Sequence, residues 1–302
     1  MVSSHKPLTG VIAILVTPFH EDDILDLPGL ARVAEYTIGL GVQGIGIGLA
    51  SEYLALSDEE CLAVARTLVE ATRGRVPVLM SCGRPSTAAT IGLAREIAAS
   101  GVDALMVLPP YVLQPSGAAL LAHYWAVAGA VATPIVVQDA PQMSGATLSA
   151  EVLAGLVREV PGIRYLKIES LPSVPKIAEL TRLLAGDHDA AGSLIGGAGG
   201  LHLVDELRRG ARATMPGCSY ADIFVRIWDA FQSGDLATAR QGLNRALPLL
   251  LHANQSFSAF VGAQKEWLRR AGLIESARLR APAERLSDEI YAEFAELLED
   301  AR

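Results

Sequence analysis

VQGIGIGLASEYLALSDEECLAVARTLVEATRGRVPVLMSC, which is residues 42–82, contains the unit from which the chain is built. A short apolar run at 42–48 is followed by a segment with helical periodicity at 57–74 and a second apolar run at 76–82. Apolar runs of this length are typical of strands buried on both faces, as in parallel sheets covered by helices. Ser57 stands where a helix N-cap is expected. The stretch therefore predicts a strand–helix–strand unit.

The same alternation continues through most of the chain. Six further apolar runs lie at 11–16, 102–108, 134–138, 163–169, 188–196 and 212–217. Eight strand–helix units close naturally into a (β/α)8 TIM barrel, which is the α/β fold that we predict. An open doubly wound sheet is the alternative, but it usually has a glycine-rich nucleotide loop after its first strand, and LVTPFHED contains no glycine.

Beyond about residue 219 the pattern becomes wholly helical. We expect residues 1–218 to form the catalytic barrel and residues 219–302 to form a C-terminal helical extension that completes it. The chain has 302 residues, of which 51% are hydrophobic, so it can bury a large core.

The composition limits the classes of function. Lysines and arginines number 25 and acidic residues 33, and the resulting charge of −8 disfavours binding to nucleic acid. The three cysteines lie far apart and the histidines show no ligand spacing, so we expect no metal site. Residues 118–137 are long enough to span a membrane, but Pro134 interrupts them, and a buried helix followed by a strand explains them better. Because the start lacks signal-peptide features, we expect a cytoplasmic protein.

Lys167 is the strongest candidate for a chemical role. The chain has 21 arginines but only four lysines, and Lys167 alone lies inside a predicted strand. The other three, Lys6, Lys176 and Lys265, fit a solvated surface. An amine inside a barrel loses hydration, which favours its neutral form and makes it available as a nucleophile toward a ketone.

Alternation along the strand IRYLKIE predicts where Lys167 points. Leu166 and Ile168 share one face, which suits the apolar contact between strands and helices. Lys167 and Glu169 share the other face and are expected inside the barrel. The alternative is a buried Lys167–Glu169 ion pair that only holds the barrel together.

Five motifs carry a resemblance along nearly the whole chain. They are GVIAILVTPF (10–19), GIGLASEYLALSDEE (46–60), LPPYVLQPS (108–116), PIVVQDAPQMSG (134–145) and YLKIES (165–170). Together they resemble the dihydrodipicolinate synthase/N-acetylneuraminate lyase family of Schiff-base (β/α)8 enzymes. The resemblance implies a covalent imine between Lys167 and a 2-oxo acid, without a further cofactor. It also implies a homotetramer assembled as a dimer of dimers.

The chain departs from the family pattern at the positions of the hydroxyl relay. Leu49 and Ala50 stand in GLASE where the family has GTTGE. Gln138 replaces the strand-five tyrosine, and Val112 replaces the second tyrosine of PYYN. Met143 takes the place of the arginine that holds the second substrate's carboxylate in the synthases. Dihydrodipicolinate synthesis is therefore not expected.

The resemblance also suggests substrate ligands. Ala50 and Ser51 stand where the family binds the substrate carboxylate, although a plain turn there is the alternative. Tyr111 either lines the pocket or contributes to a subunit contact. Gly196 and Gly197 end the seventh strand, where absent side chains would make room for substrate.

We predict a lyase that is most similar to the branch of L-2-keto-3-deoxyarabonate dehydratases, with which it shares S-E, V-Q-D-A-P and K-I-E. Lys167 would form the imine with a 2-keto-3-deoxy sugar acid. Glu169 would be the acid–base group, because Gln138 cannot exchange protons and can only orient the substrate. One alternative is a pyruvate-dependent class I (retro-)aldolase that cleaves C3–C4. Another is a noncatalytic barrel that binds an oxo acid.

Overall fold

The structure is a computed structural model that describes residues 5–113, 115, 117–187 and 192–302. Two predictions fall partly outside these residues. The first four positions of the strand predicted at 188–196 are outside, as are two positions of the LPPYVLQPS motif.

Parallel strands form a closed barrel in the described part of the chain. The eight strands are β1 (Gly10–Ile14), β2 (Gly44–Ile47), β3 (Val78–Ser81), β4 (Ala104–Val107), β5 (Ile135–Asp139), β6 (Ile163–Ile168), β7 (Leu194–Gly196) and β8 (Ala213–Thr214). They pair in chain order, and β8 pairs with β1 to close the ring. The predicted (β/α)8 TIM barrel is confirmed, and the doubly wound sheet is excluded.

Helices follow the strands and continue beyond them. They are α1 (Leu27–Gly39), α2 (Asp58–Thr72), α3 (Thr87–Ala99), α4 (Gly117–Ala130), α5 (Pro141–Ser144), α6 (Ala150–Glu159), α7 (Ser173–Leu183), α8 (Leu203–Leu207), α9 (Ala221–Gln232), α10 (Leu236–Ala253), α11 (Phe257–Arg270) and α12 (Asp288–Ala301). Ser57 caps α2 as predicted, since its hydroxyl accepts a hydrogen bond from the Glu60 N–H. The apolar stretch 118–137 divides into α4 and β5. Within the described ranges, no helix is both long and apolar enough to cross a membrane.

The apolar core has an inner and an outer part. Inward side chains such as Ile12, Val136 and Ile195 fill the barrel below the carboxyl ends of the strands. The outward faces of the strands pack against the helices in a second, larger cluster. Side chains of the C-terminal helices, including Phe224 of α9, belong to this outer cluster. Because α9 packs on β1, the extension completes the helical ring around the barrel.

Candidate active site

Lys167 and Glu169 lie side by side at the carboxyl end of the barrel. Leu166 and Ile168 belong to the outer core, so alternation along β6 turns Lys167 and the following Glu169 inward. The Lys167 Nζ lies 3.2 Å from Glu169 Oε1, and the two side chains are 5% and 14% exposed. Both residues line a cavity of about 250 Å³. The pair is therefore open to a ligand and is not a sealed ionic contact.

Two further groups hold the Glu169 carboxylate. The Gln138 side chain lies beside Lys167 in the register of β5 and β6, and its Nε2 donates to Glu169 Oε2 at 2.7 Å. The Ala198 N–H donates to Glu169 Oε1 at 3.4 Å. The Gln138 Oε1 is buried and has no hydrogen-bond partner among the residues that the structure describes. It is an acceptor that a substrate hydroxyl could satisfy.

The glycines that end β7 make room for protein side chains, and the prediction that they also make room for substrate stays a prediction. A Cβ at Gly197 would lie 2.2 Å from the Glu169 Cγ. A Cβ at Gly196 would lie 2.0 Å from the Glu206 Oε2. The two carboxyl side chains therefore occupy the space that two consecutive glycines leave open.

Glu206 is a buried carboxyl group that the sequence analysis missed. It lies in α8, and the Ser173 hydroxyl donates to its Oε1 at 2.7 Å. Its Oε2 has no partner in the described parts of the chain. Burial raises the pKa of Glu206 to about 7 against the lowering effect of Ser173, and the nearby Glu169 and Asp205 raise it further. An acidic residue within the apolar run of LHLVDEL was the available signal.

The loop after β2 gives a different result at each predicted ligand. Ala50 and the neighbouring Leu49 line the cavity with Lys167. Ser51 is fully buried; its hydroxyl donates to the Leu15 carbonyl and accepts from the Gly48 N–H. The Ser51 N–H donates to the Gly48 carbonyl at 3.0 Å. Ser51 is thus engaged within the chain, and the roles of Ala50 and Ser51 as substrate ligands stay predictions.

Lys265, which lies in the C-terminal extension, bonds to the loop after β2. Its ammonium group, which is fully buried in α11, donates to the Glu52 carboxylate, and the Arg280 N–H donates to the same carboxylate at 2.8 Å. Glu52 has a left-handed backbone with φ 58°, and the two donors fix its side chain. Burial lowers the pKa of Lys265 to about 8, against the raising effect of Glu52. The prediction that Lys265 is a surface residue is wrong.

The prediction of a solvated Lys176 is also wrong. The Lys176 Nζ donates to Asp139 Oδ2 at 2.6 Å and to the Ser170 hydroxyl at 2.9 Å. Asp139 ends β5, and its carbonyl accepts from the Glu169 N–H at 2.9 Å. These contacts join the carboxyl ends of β5 and β6 and so support the strand ends that carry Gln138 and Glu169.

Comparison with known proteins places the chain in a family. The sequence profile described as the dihydrodipicolinate synthetase family matches residues 7–301. The chain belongs to this family. Its members are lyases of the class I aldolase type that act on small-molecule oxo acids, and the chain is therefore a lyase.

Individual relatives of the family match over almost their full length. The L-2-keto-3-deoxyarabonate dehydratase of Azospirillum brasilense is 33% identical over 302 residues, which cover 97% of this chain and 95% of that protein. A 4-hydroxy-tetrahydrodipicolinate synthase of Acidobacterium capsulatum is 32% identical over 303 residues, covering 94% and 96%. A prophage protein of E. coli K12, solved in complex with pyruvate, superposes with a TM-score of 0.89 at 27% identity, covering 98% of this chain and 99% of that protein.

Tyr111, a predicted family position, has no described contact with Lys167. Tyr111 is half-buried near Tyr53 and Arg84, and burial raises the pKa of its hydroxyl. It is not among the residues that line the Lys167 cavity, and both of its predicted roles, in the substrate pocket and in a subunit contact, stay predictions. Among the described residues no cluster of three or more His, Cys, Asp or Glu side chains could hold a metal ion.

Proposed function

We propose that the protein dehydrates a 2-keto-3-deoxy sugar acid through an imine on Lys167, in the manner of an L-2-keto-3-deoxyarabonate dehydratase. The observation that carries this proposal is the contact of 3.2 Å between Lys167 and Glu169 in an accessible cavity. Because Gln138 stands where the family has a tyrosine and its amide does not titrate, Glu169 is the titratable side chain in contact with Lys167.

The first step is imine formation. Glu169 takes a proton from the Lys167 ammonium group, and the neutral amine attacks the C2 carbonyl. Glu169 returns that proton as one water leaves, which gives a protonated imine that draws electrons from C3. The backbone amide of Ala50 would bind the substrate carboxylate. The covalent imine takes the place of a separate cofactor.

The second step is elimination. Glu169 removes a proton from C3, which gives an enamine, and returns a proton to the C4 hydroxyl as it leaves as water. The buried Gln138 Oε1 would accept a hydrogen bond from that hydroxyl and orient it. Water then hydrolyses the imine and frees Lys167. For L-2-keto-3-deoxyarabonate, a shift of the double bond toward C5 gives 2-oxoglutarate semialdehyde.

Product analysis tests the reaction against its alternatives. Dehydration preserves the carbon skeleton, whereas retro-aldol cleavage by the same imine gives pyruvate and an aldehyde. Cleavage needs a base at the C4 hydroxyl, and the amide of Gln138 is not one. A noncatalytic oxo-acid-binding barrel would give no product with any 2-keto-3-deoxy acid. The homotetramer and the cytoplasmic location stay predictions.

A further inference from the structure

A second cavity adjoins the one that contains Lys167. It has a volume of about 310 Å³ and lies between the loop after β2 and the segment that follows α11. Leu49, Met143 and Phe257 line both cavities. The two cavities are therefore neighbours that share these three side chains, and we call the second one the tail pocket.

The walls of the tail pocket are apolar and accessible. Leu54, Met143 and Phe257 are 40%, 43% and 39% exposed, and they are among the large hydrophobic residues that the described chain leaves exposed. Pro282 and Ala283 line the same pocket. Exposed apolar surface gathered in one concave site marks a place where an apolar group binds.

The charged groups of the tail pocket already have partners. The Glu52 carboxylate accepts from the Lys265 ammonium and from the Arg280 N–H. The Arg280 guanidinium donates to both oxygens of Glu60, at 2.7 and 2.9 Å, and to the Ala55 carbonyl at 3.0 Å. A polar group of a ligand would lose hydration there without gaining a strong new bond, whereas an apolar group would gain from burial.

We propose that the tail pocket binds an apolar or aromatic substituent at the far end of the 2-oxo acid that reacts with Lys167. This inference rests on the proposed imine chemistry and refines its substrate class. The reacting carbons C1 to C4 would lie in the first cavity, next to Lys167 and Glu169. The substrate would keep the C4 hydroxyl that the proposed elimination removes, and a hydrocarbon group beyond C4 would occupy the tail pocket.

Binding to the Lys167→Ala variant tests the tail pocket without imine formation. Calorimetry would compare 2-oxo-6-phenylhexanoate with 2-oxopentanoate, which share the oxo-acid end and differ in the tail. We expect the phenyl acid to bind at least about tenfold more tightly, as burial of an aromatic ring provides. Adding Leu54→Gln to the Lys167→Ala variant should remove most of the preference for the phenyl acid, whereas the matched control Leu54→Met should keep that preference. Of these two cavities, Leu54 lines the tail pocket and not the one that contains Lys167.

Equal affinity for the two acids, or an equal loss for both in Leu54→Gln, would overturn the inference. So would a change of oligomeric mass in Leu54→Gln by analytical ultracentrifugation, since Leu54 would then belong to a subunit contact. Ala283→Phe provides a second variant that fills the pocket, and it should weaken only the phenyl acid. The calorimetry uses the Lys167→Ala variant, which lacks the amine, so its outcome does not depend on imine formation. Borohydride trapping in the wild type tests the imine separately.

Discussion

Single residues determine the chemistry at the end of β6. Alternation in IRYLKIE is enough to predict that Lys167 and Glu169 share the inner face, because an outward lysine would disrupt the apolar contact with the helices. The sequence could not predict the role of Ser51, since its hydroxyl bonds to Leu15, which is far away along the chain. Glu206 was missed for the same reason, because its contacts with Ser173 and Gly196 arise only in the folded chain.

Glu169→Gln separates imine formation from proton transfer. The variant keeps the size of the side chain but cannot take a proton from C3, so turnover should fall by about 10²–10⁴-fold while borohydride still traps the imine. Steady-state kinetics and trapping, measured on the same preparation, check this. Glu179→Gln, on the exposed face of α7, is the control. Unchanged turnover in Glu169→Gln would assign the acid–base role to another group.

Gly197→Ala should displace the Glu169 side chain. The added methyl group would lie 2.2 Å from the Glu169 Cγ, so the carboxylate must move. We expect kcat to fall by about a hundredfold, which is the usual cost of moving a catalytic group by about 1 Å. Gly92→Ala in α3, whose added methyl group meets nothing within 4 Å, is the matched control. Kinetics that do not distinguish the two variants would contradict this role of Gly197.

Glu206 should give the stability a pH dependence near neutrality. Burial raises the pKa of Glu206 from 4.5 to about 7, so the folded chain holds a proton there that the unfolded chain has released. The free energy of unfolding therefore loses up to roughly 3 kcal/mol as the pH rises across this window. Glu206→Gln removes this loss, and urea unfolding at pH 5 and pH 8 measures it. The same pH dependence in both proteins would show that Glu206 is not the group.

At the level of elements, the helical extension supports the active-site loop. The strands and α2 could be predicted from apolar runs and from the cap at Ser57. The environment of Lys265 could not, because α11 is buried around most of its circumference, and Gln264, Lys265 and Glu266 look in sequence like a solvated face. Only the folded chain shows that α11 reaches the loop after β2.

Lys265→Met should destabilise the protein strongly. The substitution leaves the Glu52 carboxylate buried without its ammonium partner, and losing one member of such a pair costs about 3–5 kcal/mol. Combining it with Glu52→Met should recover part of this loss, because no unpaired charge then remains. Urea denaturation of the wild type and of these two variants measures both effects. A loss below about 1 kcal/mol in Lys265→Met would show that the pair does not stabilise the loop.

For the whole molecule, the barrel and its extension share one core. Eight apolar runs predict the number and order of the strands, and the barrel brings residues of β5, β6 and the loop after β2 to one end. The division at residue 218 describes the change of pattern in the sequence, but buried side chains of α9 to α12 lie in the same cluster as the outer faces of the strands. The shared core arises from packing between segments that are distant along the chain, and a local sequence pattern does not show such packing.

The central claim is that the whole folded chain presents one reactive amine. Intact-mass spectrometry after borohydride reduction in the presence of pyruvate tests it most directly, with peptide mapping to locate the adduct. We predict one reduced pyruvate per chain in the wild type, attached to Lys167, and none in Lys167→Ala. An unmodified wild-type chain, or an adduct that persists in Lys167→Ala, would contradict the account.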